Sequence, residues 1–216
     1  ATGGVLSVAK NGQNPQFTVE EIRAITETAK DYGMLTAAHA HGDEGMRRAI
    51  EGGIQTIEHG TLMSESTMEL MKEKGVYMVP TISAGKEAAK NAEIPGFFPP
   101  VVAQKAREIG PQIQNTFARA YKKGVPKAFG TDAGVFPHGT NAQEFEYMVE
   151  AGMPADEALR AATITNANLL GMGEELGQLK AGFLADIIAV QGDPLKDVSV
   201  LKSVRFVMKD GKVYKQ

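Results

Sequence analysis

The sequence predicts an α/β fold on parallel strands, and three observations lead there. Short apolar runs recur that each reach a residue able to bind a metal: T-A-A-H-A-H-G (36–42), T-I-E-H-G (56–60) and A-F-G-T-D-A-G (128–134). Each run gives way to glycine or another small residue. Between the runs lie segments with helix start and stop signals, and a strand–helix rhythm of this kind requires crossover connections.

Taken in order, residues 1–17 are rich in Gly and Asn and read as a loop. Thr18-Val19-Glu20-Glu21 has the form of a capping box and opens a helix over 18–31, with Gly33 ending it. A strand over 34–38 runs into His39. Asp43 caps a helix over 44–51 that stops at Gly52-Gly53, and a strand over 54–58 runs into His59. Ser64 caps a helix to about residue 74, and 76–79 is a strand closed by Pro80. Residues 85–100 hold Gly85, Pro95, Gly96, Pro99 and Pro100 and read as a lid-like excursion. A long helix follows over 101–123, then a strand over 126–131 ending at Asp132, a loop over 133–140, and helices near 141–151, 154–162 and 164–170.

The pattern changes after about residue 172. An apolar strand over 185–190 precedes a hairpin, 204–209 and 212–214, turned by Asp210-Gly211, a pair that supplies the positive φ values of a type I′ turn. Two units are therefore expected, 1–172 and 173–216. Four parallel strands are half of what a (β/α)8 barrel needs and cannot close by themselves. The predicted architecture is the second half of such a TIM barrel with part of a small β domain attached.

Composition narrows the chemistry. A net charge of −3 over 216 residues, without a basic cluster, gives no nucleic-acid footprint. No apolar run approaches the roughly 20 residues of a membrane span. With no cysteine there is no disulfide, thiolate ligand or Cys nucleophile, so a metal must be held by His and carboxylate. No G-x-S-x-G elbow or Walker-type phosphate loop is present.

His39 and His41 form an H-x-H pair, and residues i and i+2 of a strand face one side. His59 alone carries little weight, since an isolated His is more often a hydrogen-bonded structural residue. Its value is that 56–60 repeats the grammar of 36–42 one βα unit later. Neighbouring strands lie about 4.8 Å apart, so strand-end side chains can share an ion. Asp132 between glycines is a common turn feature, yet beside two His residues it can bind metal and accept a proton from water. Glu58 precedes a ligand, and alternation points it away from the barrel interior. His138, on the loop after Asp132, is a surface His or a substrate contact. Met63, Met68 and Met71 read as core packing.

His39 and His59 twenty positions apart, G-T-D-A-G, P-H-G-T-N, A-T-I-T-N-A-N-L-L-G, G-Q-L-K-A-G-F-L-A-D-I-I-A-V and V-M-K-D-G-K-V together resemble the amidohydrolase superfamily. The nearest group is the imidazolonepropionase-related enzymes, which include Xaa-Pro dipeptidases. The resemblance implies a (β/α)8 barrel, a two-ion centre of divalent metal, usually zinc, and a small β-sandwich that takes 173–216. It makes His39 the strand-five ligand and His59 the strand-six ligand, although His41 could take the strand-five role. It makes Asp132 the strand-eight ligand and catalytic proton shuttle. His41 and His138 stand apart from it as candidate substrate contacts. The superfamily's strand-one H-x-H and its bridging carboxylated lysine have no counterpart here. In relatives that lysine lies just before a segment like A-T-G-G-V, so it is expected immediately upstream of Ala1. The chain then reads as the C-terminal half of a longer enzyme.

The expected activity is hydrolysis of an amide or peptide bond, in a dipeptide or N-acyl amino acid, by metal-activated hydroxide. A cyclic amide or imidazolone hydrolase or deaminase is the alternative among enzymes. A non-catalytic half chain that needs its N-terminal partner is the alternative outside them. The expected partners are a small substrate, the N-terminal half of the same protein and a second copy in a homo-oligomer; compartment stays open.

Overall fold

The computed structural model describes residues 1–8 and 12–216; the remainder of the expected 1–17 loop, residues 9–11, lies outside the described residues. Helix α1 (Val19–Asp31) opens with the expected capping box: Glu21 N–H donates to Thr18 Oγ1, and Thr18 N–H donates to the Glu21 carboxylate. A parallel sheet follows in the order β1 (Ala37–Ala40), β2 (Thr56–His59), β3 (Tyr77–Val79). Helices α2 (Asp43–Glu51) and α3 (Glu65–Lys74) make the crossovers between them.

Alternation sorts the side chains. Ala38, Ala40, Ile57 and Met78 face the helices and enter one core with Met46, Met63, Met68, Met71, Ile113, Phe117 and Met148. Each fully buried Ile or Met contributes about 1.5–3 kcal/mol of apolar burial. The expected packing role of Met63, Met68 and Met71 is what the structure has. The other face carries Ala37, Thr56, Glu58 and Val79, which line one open cavity.

Several elements differ from expectation for identifiable reasons. β1 and β2 start later than 34 and 54 and run on to Ala40 and His59, leaving Met34 and Leu35 exposed. Asp43 does not cap α2; Gly42 is the N-cap, and Asp43 Oδ1 accepts from Ser64 N–H at 2.7 Å. The lid-like excursion is half helix, since α4 (Ile82–Ala92) runs through Gly85. That glycine is there for proximity rather than for a turn: an added Cβ would lie 2.9 Å from the carbonyl oxygen of Gly110. The long helix over 101–123 is two, α5 (Pro100–Ile109) and α6 (Gln112–Lys123), divided at Gly110-Pro111 because Pro111 has no N–H to continue the ladder.

The fourth expected strand is not formed as such. Residues 126–131 hold one parallel bridge, Met78 to Lys127, through Met78 N–H to Pro126 O at 2.9 Å and Ala128 N–H to Met78 O at 3.0 Å. On the opposite edge the Asn166 side chain takes both backbone groups of Phe129, accepting its N–H at 3.1 Å and donating to its carbonyl at 2.8 Å. An amide side chain thus occupies the edge where a neighbouring strand would pair. Helices α7 (Gln143–Glu150) and α8 (Ala155–Arg160), a π-helical turn over 161–165 and α9 (Asn166–Leu169) follow. A separate antiparallel sheet joins β4 (Ile187–Val190), β5 (Val204–Lys209) and β6 (Lys212–Lys215). Its hairpin turns at Asp210 and Gly211 with φ of 49° and 73°, as the Asp-Gly pair predicts. Among the described residues no helix is long and apolar enough to cross a membrane.

Candidate active site

The ends of β1 and β2 bring three imidazoles together. His39, His41 and His59 have ring centroids 4.7 to 4.8 Å apart, and each offers a ligand atom within 4.8 Å of the others. His39 and His41 arrive by plain alternation along β1. His59 does not: in register it lies opposite Ala40, and His39 lies opposite Glu58. Regular alternation would turn His59 into the helix-covered core. Its backbone is left-handed instead, at φ 72°, and this brings the ring to the same end as the other two. Asp132 and Thr81 share that conformation, at φ 56° and 52°. Left-handed backbone costs a non-glycine residue about 1–2 kcal/mol, and such strain gathers at functional sites.

Glu58 therefore faces inward, contrary to the alternation argument. It lies beneath the histidines on the Thr56 face, its Oε1 accepting from Thr56 Oγ1 at 2.6 Å. Burial holds its carboxyl above the usual range, the Thr56 bond opposes that, and Asp132 nearby adds to it.

Two threonines orient the rings. Thr61 Oγ1 is 2.8 Å from His41 Nδ1, and Thr81 Oγ1 is 2.6 Å from His59 Nδ1. Each threonine sits two residues beyond the end of the next strand. His39 Nε2 is buried and, among the described residues, has no hydrogen-bond partner. Burial pushes the His41 imidazole down to about 2, with His59, His39 and Lys105 adding repulsion, and pushes His59 down to about 3, helped by His39. His39 is lowered by burial, against a Gly3 backbone bond and the nearby Asp132. The rings are therefore neutral and keep lone pairs for a cation. Asp132 has its carboxyl raised by burial and drawn down again by His39.

Asp132 and the three histidines line one cavity of about 220 Å³, with Val5, Leu6, Ala84, Ala88, Ile113 and Val135 as its apolar wall. Gly4 packs on His39, where an added Cβ would sit 3.4 Å from the ring. His138 is exposed on its loop and is not among the residues lining this cavity.

A family model described as the amidohydrolase family matches residues 1–214. The chain belongs to that family. A solved Xaa-Pro dipeptidase with methionine bound in its active site is 58% identical, with a TM-score of 0.97, over all of this chain and 53% of that one. A prolidase complexed with N-methylphosphonate-L-proline is 30% identical, TM-score 0.89, over all of this chain and 53% of that one. Ochratoxinase of Aspergillus niger is 37% identical over 221 residues, which cover all of this chain and 45% of that protein. This amidohydrolase chain thus spans about half the length of the relatives it matches.

The residues present fit a divalent cation. A buried imidazole nitrogen without a partner among the described residues, in a cluster of three rings in one cavity with a carboxylate, is a donor set suited to zinc and related ions. The sequence reading missed Thr61 and Thr81. The signal was available as H-G-T (59–61) and V-P-T (79–81), a repeated threonine just beyond successive strands.

Proposed function

We propose that this chain is the second half of a (β/α)8-barrel amidohydrolase that cleaves an amide or peptide bond, its substrate a dipeptide of the Xaa-Pro type or an N-acyl amino acid. Residues 1–172 contribute to the barrel and 173–216 to a small β-sandwich. The observation that carries the reading is the cluster of three imidazoles, with His39 Nε2 unpartnered among the described residues, in one cavity with Asp132. The 58% identity to a dipeptidase supports the substrate class.

In this reading His39 and His59 hold one of two zinc-type ions, and Asp132 touches the other. When bound, the metal polarises the scissile carbonyl and lowers the pKa of water from 15.7 toward about 7. With Nε2 given to an ion, His59 Nδ1 carries the ring proton and donates to Thr81 Oγ1. His41 takes the opposite tautomer: Thr61 donates to Nδ1, and the His41 Nε2–H is left to donate to a substrate oxygen. The Asp132 carboxylate accepts the proton of the attacking water and delivers it to the leaving nitrogen. The apolar wall receives an uncharged side chain and keeps bulk water from the reacting atoms. The other ligands of a two-ion centre, a carboxylated lysine among them, belong to the N-terminal half that completes the barrel. His138 is left without a role.

The test assays the full-length protein, zinc-loaded and chelator-treated, on Xaa-Pro dipeptides, N-acyl amino acids and cyclic amides. Chelator-reversible cleavage of the linear substrates is expected. Turnover confined to cyclic amides would move the assignment to the cyclic amide hydrolases, and no turnover on any would leave a non-catalytic chain.

A further inference from the structure

Helix α4 begins in an unusual way. An N-cap residue ordinarily has extended backbone and turns its side-chain oxygen onto an N–H of the first turn. Thr18 and Ser64 do so, at φ −79° and −78°, accepting from Glu21 and Thr67. Thr81, the N-cap of α4, has left-handed backbone at φ 52°, ψ 44° and makes no side-chain cap bond. Its Oγ1 is committed to His59 Nδ1.

The first N–H groups of α4 are buried with Ile82 and Ser83, so water cannot take them either. Glu144 takes them. From α7, its Oε1 accepts from Ile82 N–H at 2.8 Å, and its Oε2 accepts from Ser83 N–H at 2.8 Å and Ser83 Oγ at 2.7 Å. The Glu144 side chain is fully buried, and burial pushes its carboxyl up to about 7 against those three bonds. A Ser or Thr bonding its own helix would cap α4 without burying an acid, but the threonine at that position is in use elsewhere. The mechanism above gives Glu144 no part.

We infer that Glu144 is a positioning residue for His59: it caps α4 in place of Thr81, so that Thr81 Oγ1 stays on the His59 ring and keeps its Nε2 aimed at the ion. The inference rests on His59 being a metal ligand. It also links the two sides of the site. The segment leading into α7 is tied beside Asp132 through Asn141 Nδ2, which donates to Thr131 Oγ1 at 3.1 Å, and its helix then secures the start of α4.

The experiment is a set of double-mutant cycles on the full chain, read as the Zn²⁺ dissociation constant by chelator competition. Thr81→Val should weaken Zn²⁺ about 10- to 100-fold, the range for losing a partner behind a metal ligand. Glu144→Gln should weaken it by a sizeable part of that factor, and the double variant no more than Thr81→Val alone. Glu144→Gln combined with Thr61→Val, on the His41 side, should give the plain product of the two single effects. If the Glu144 and Thr81 effects also multiply, or if Glu144→Gln lowers the melting temperature and leaves Zn²⁺ affinity at the wild-type value, the inference is overturned and Glu144 is a structural cap. Should Glu144→Gln fail to fold, Ser83→Ala, which removes one donor to the same carboxylate, replaces it in the cycle. In metal-free protein, solvent exchange of the His59 Nδ1–H by NMR should quicken in Glu144→Gln; unchanged exchange counts against the link. If the wild type binds no Zn²⁺ but exchange still quickens in Glu144→Gln, the metal site is lost and the Glu144–Thr81–His59 link stands.

Discussion

The connections after β2 and after β3 have the same two tasks, and they divide them differently. Each must start a helix and hold a histidine from the strand before. After β2 two residues share the work: Thr61 holds His41, and Ser64, three positions later, caps α3. After β3 there is no room for two, because α4 starts at Ile82, directly behind Thr81. Thr81 stands where both tasks fall and performs one; a carboxylate from α7 performs the other. A shorter connection thus makes the orientation of His59 depend on a cap from a residue distant in sequence, while the connection after β2 supplies both its own cap and the hold on His41.

The strongest way to test what both connections serve is to remove Asp132, the proposed proton carrier. Asp132→Asn should lower kcat by about 10²- to 10⁴-fold, the usual worth of a positioned acid–base group, and change Zn²⁺ affinity far less. An equal loss in both would make Asp132 a ligand alone. Next in size, the two threonines should part company. Thr81→Val should cost about 10- to 100-fold in Zn²⁺ affinity, whereas Thr61→Val should raise KM and leave Zn²⁺ affinity within a few-fold. If both changed metal binding alike, His41 would be a ligand and the contrast between the connections would disappear.

Separation of tasks after β2 gives a smaller effect. Ser64→Ala should cost about 1 kcal/mol of stability by thermal or urea unfolding, as loss of an N-cap does, with no change in Zn²⁺ affinity or KM. Smallest of all, His138→Ala should leave kcat/KM within about twofold in the same assay, since that ring lies outside the cavity. A tenfold loss would return His138 to the substrate side of the site.

The cap of α1, the cap of α3 and the Asp-Gly hairpin were legible in the sequence because each is set by neighbours within a few residues. The rhythm of three parallel strands was legible too, since alternation and flanking glycines are local signals. What failed depended on distant atoms. Gly85 read as a loop marker, but it is helical because the Gly110 backbone passes close by. The strand over 126–131 was expected from its apolar run, but its outer edge is taken by Asn166. At the site, His39 and His41 follow from period-two alternation. His59 was placed correctly at a strand end by an argument that puts equivalent ends side by side, yet the register is offset by one and the left-handed turn at His59 makes up the difference. The same offset is why Glu58 was read as facing outward. No single-sequence signal marks Glu144, which acts through a contact sixty-two residues away.

All of this depends on His39 and His59 holding a cation in the cavity that Asp132 lines. Crystals of the full chain grown with Zn²⁺ and measured on both sides of the zinc absorption edge test that most directly. The account predicts an anomalous peak about 2.0–2.1 Å from imidazole nitrogens of both His39 and His59, inside the cavity that Asp132 lines. A density map with zinc only at surface carboxylates, and none between those two rings, would contradict it.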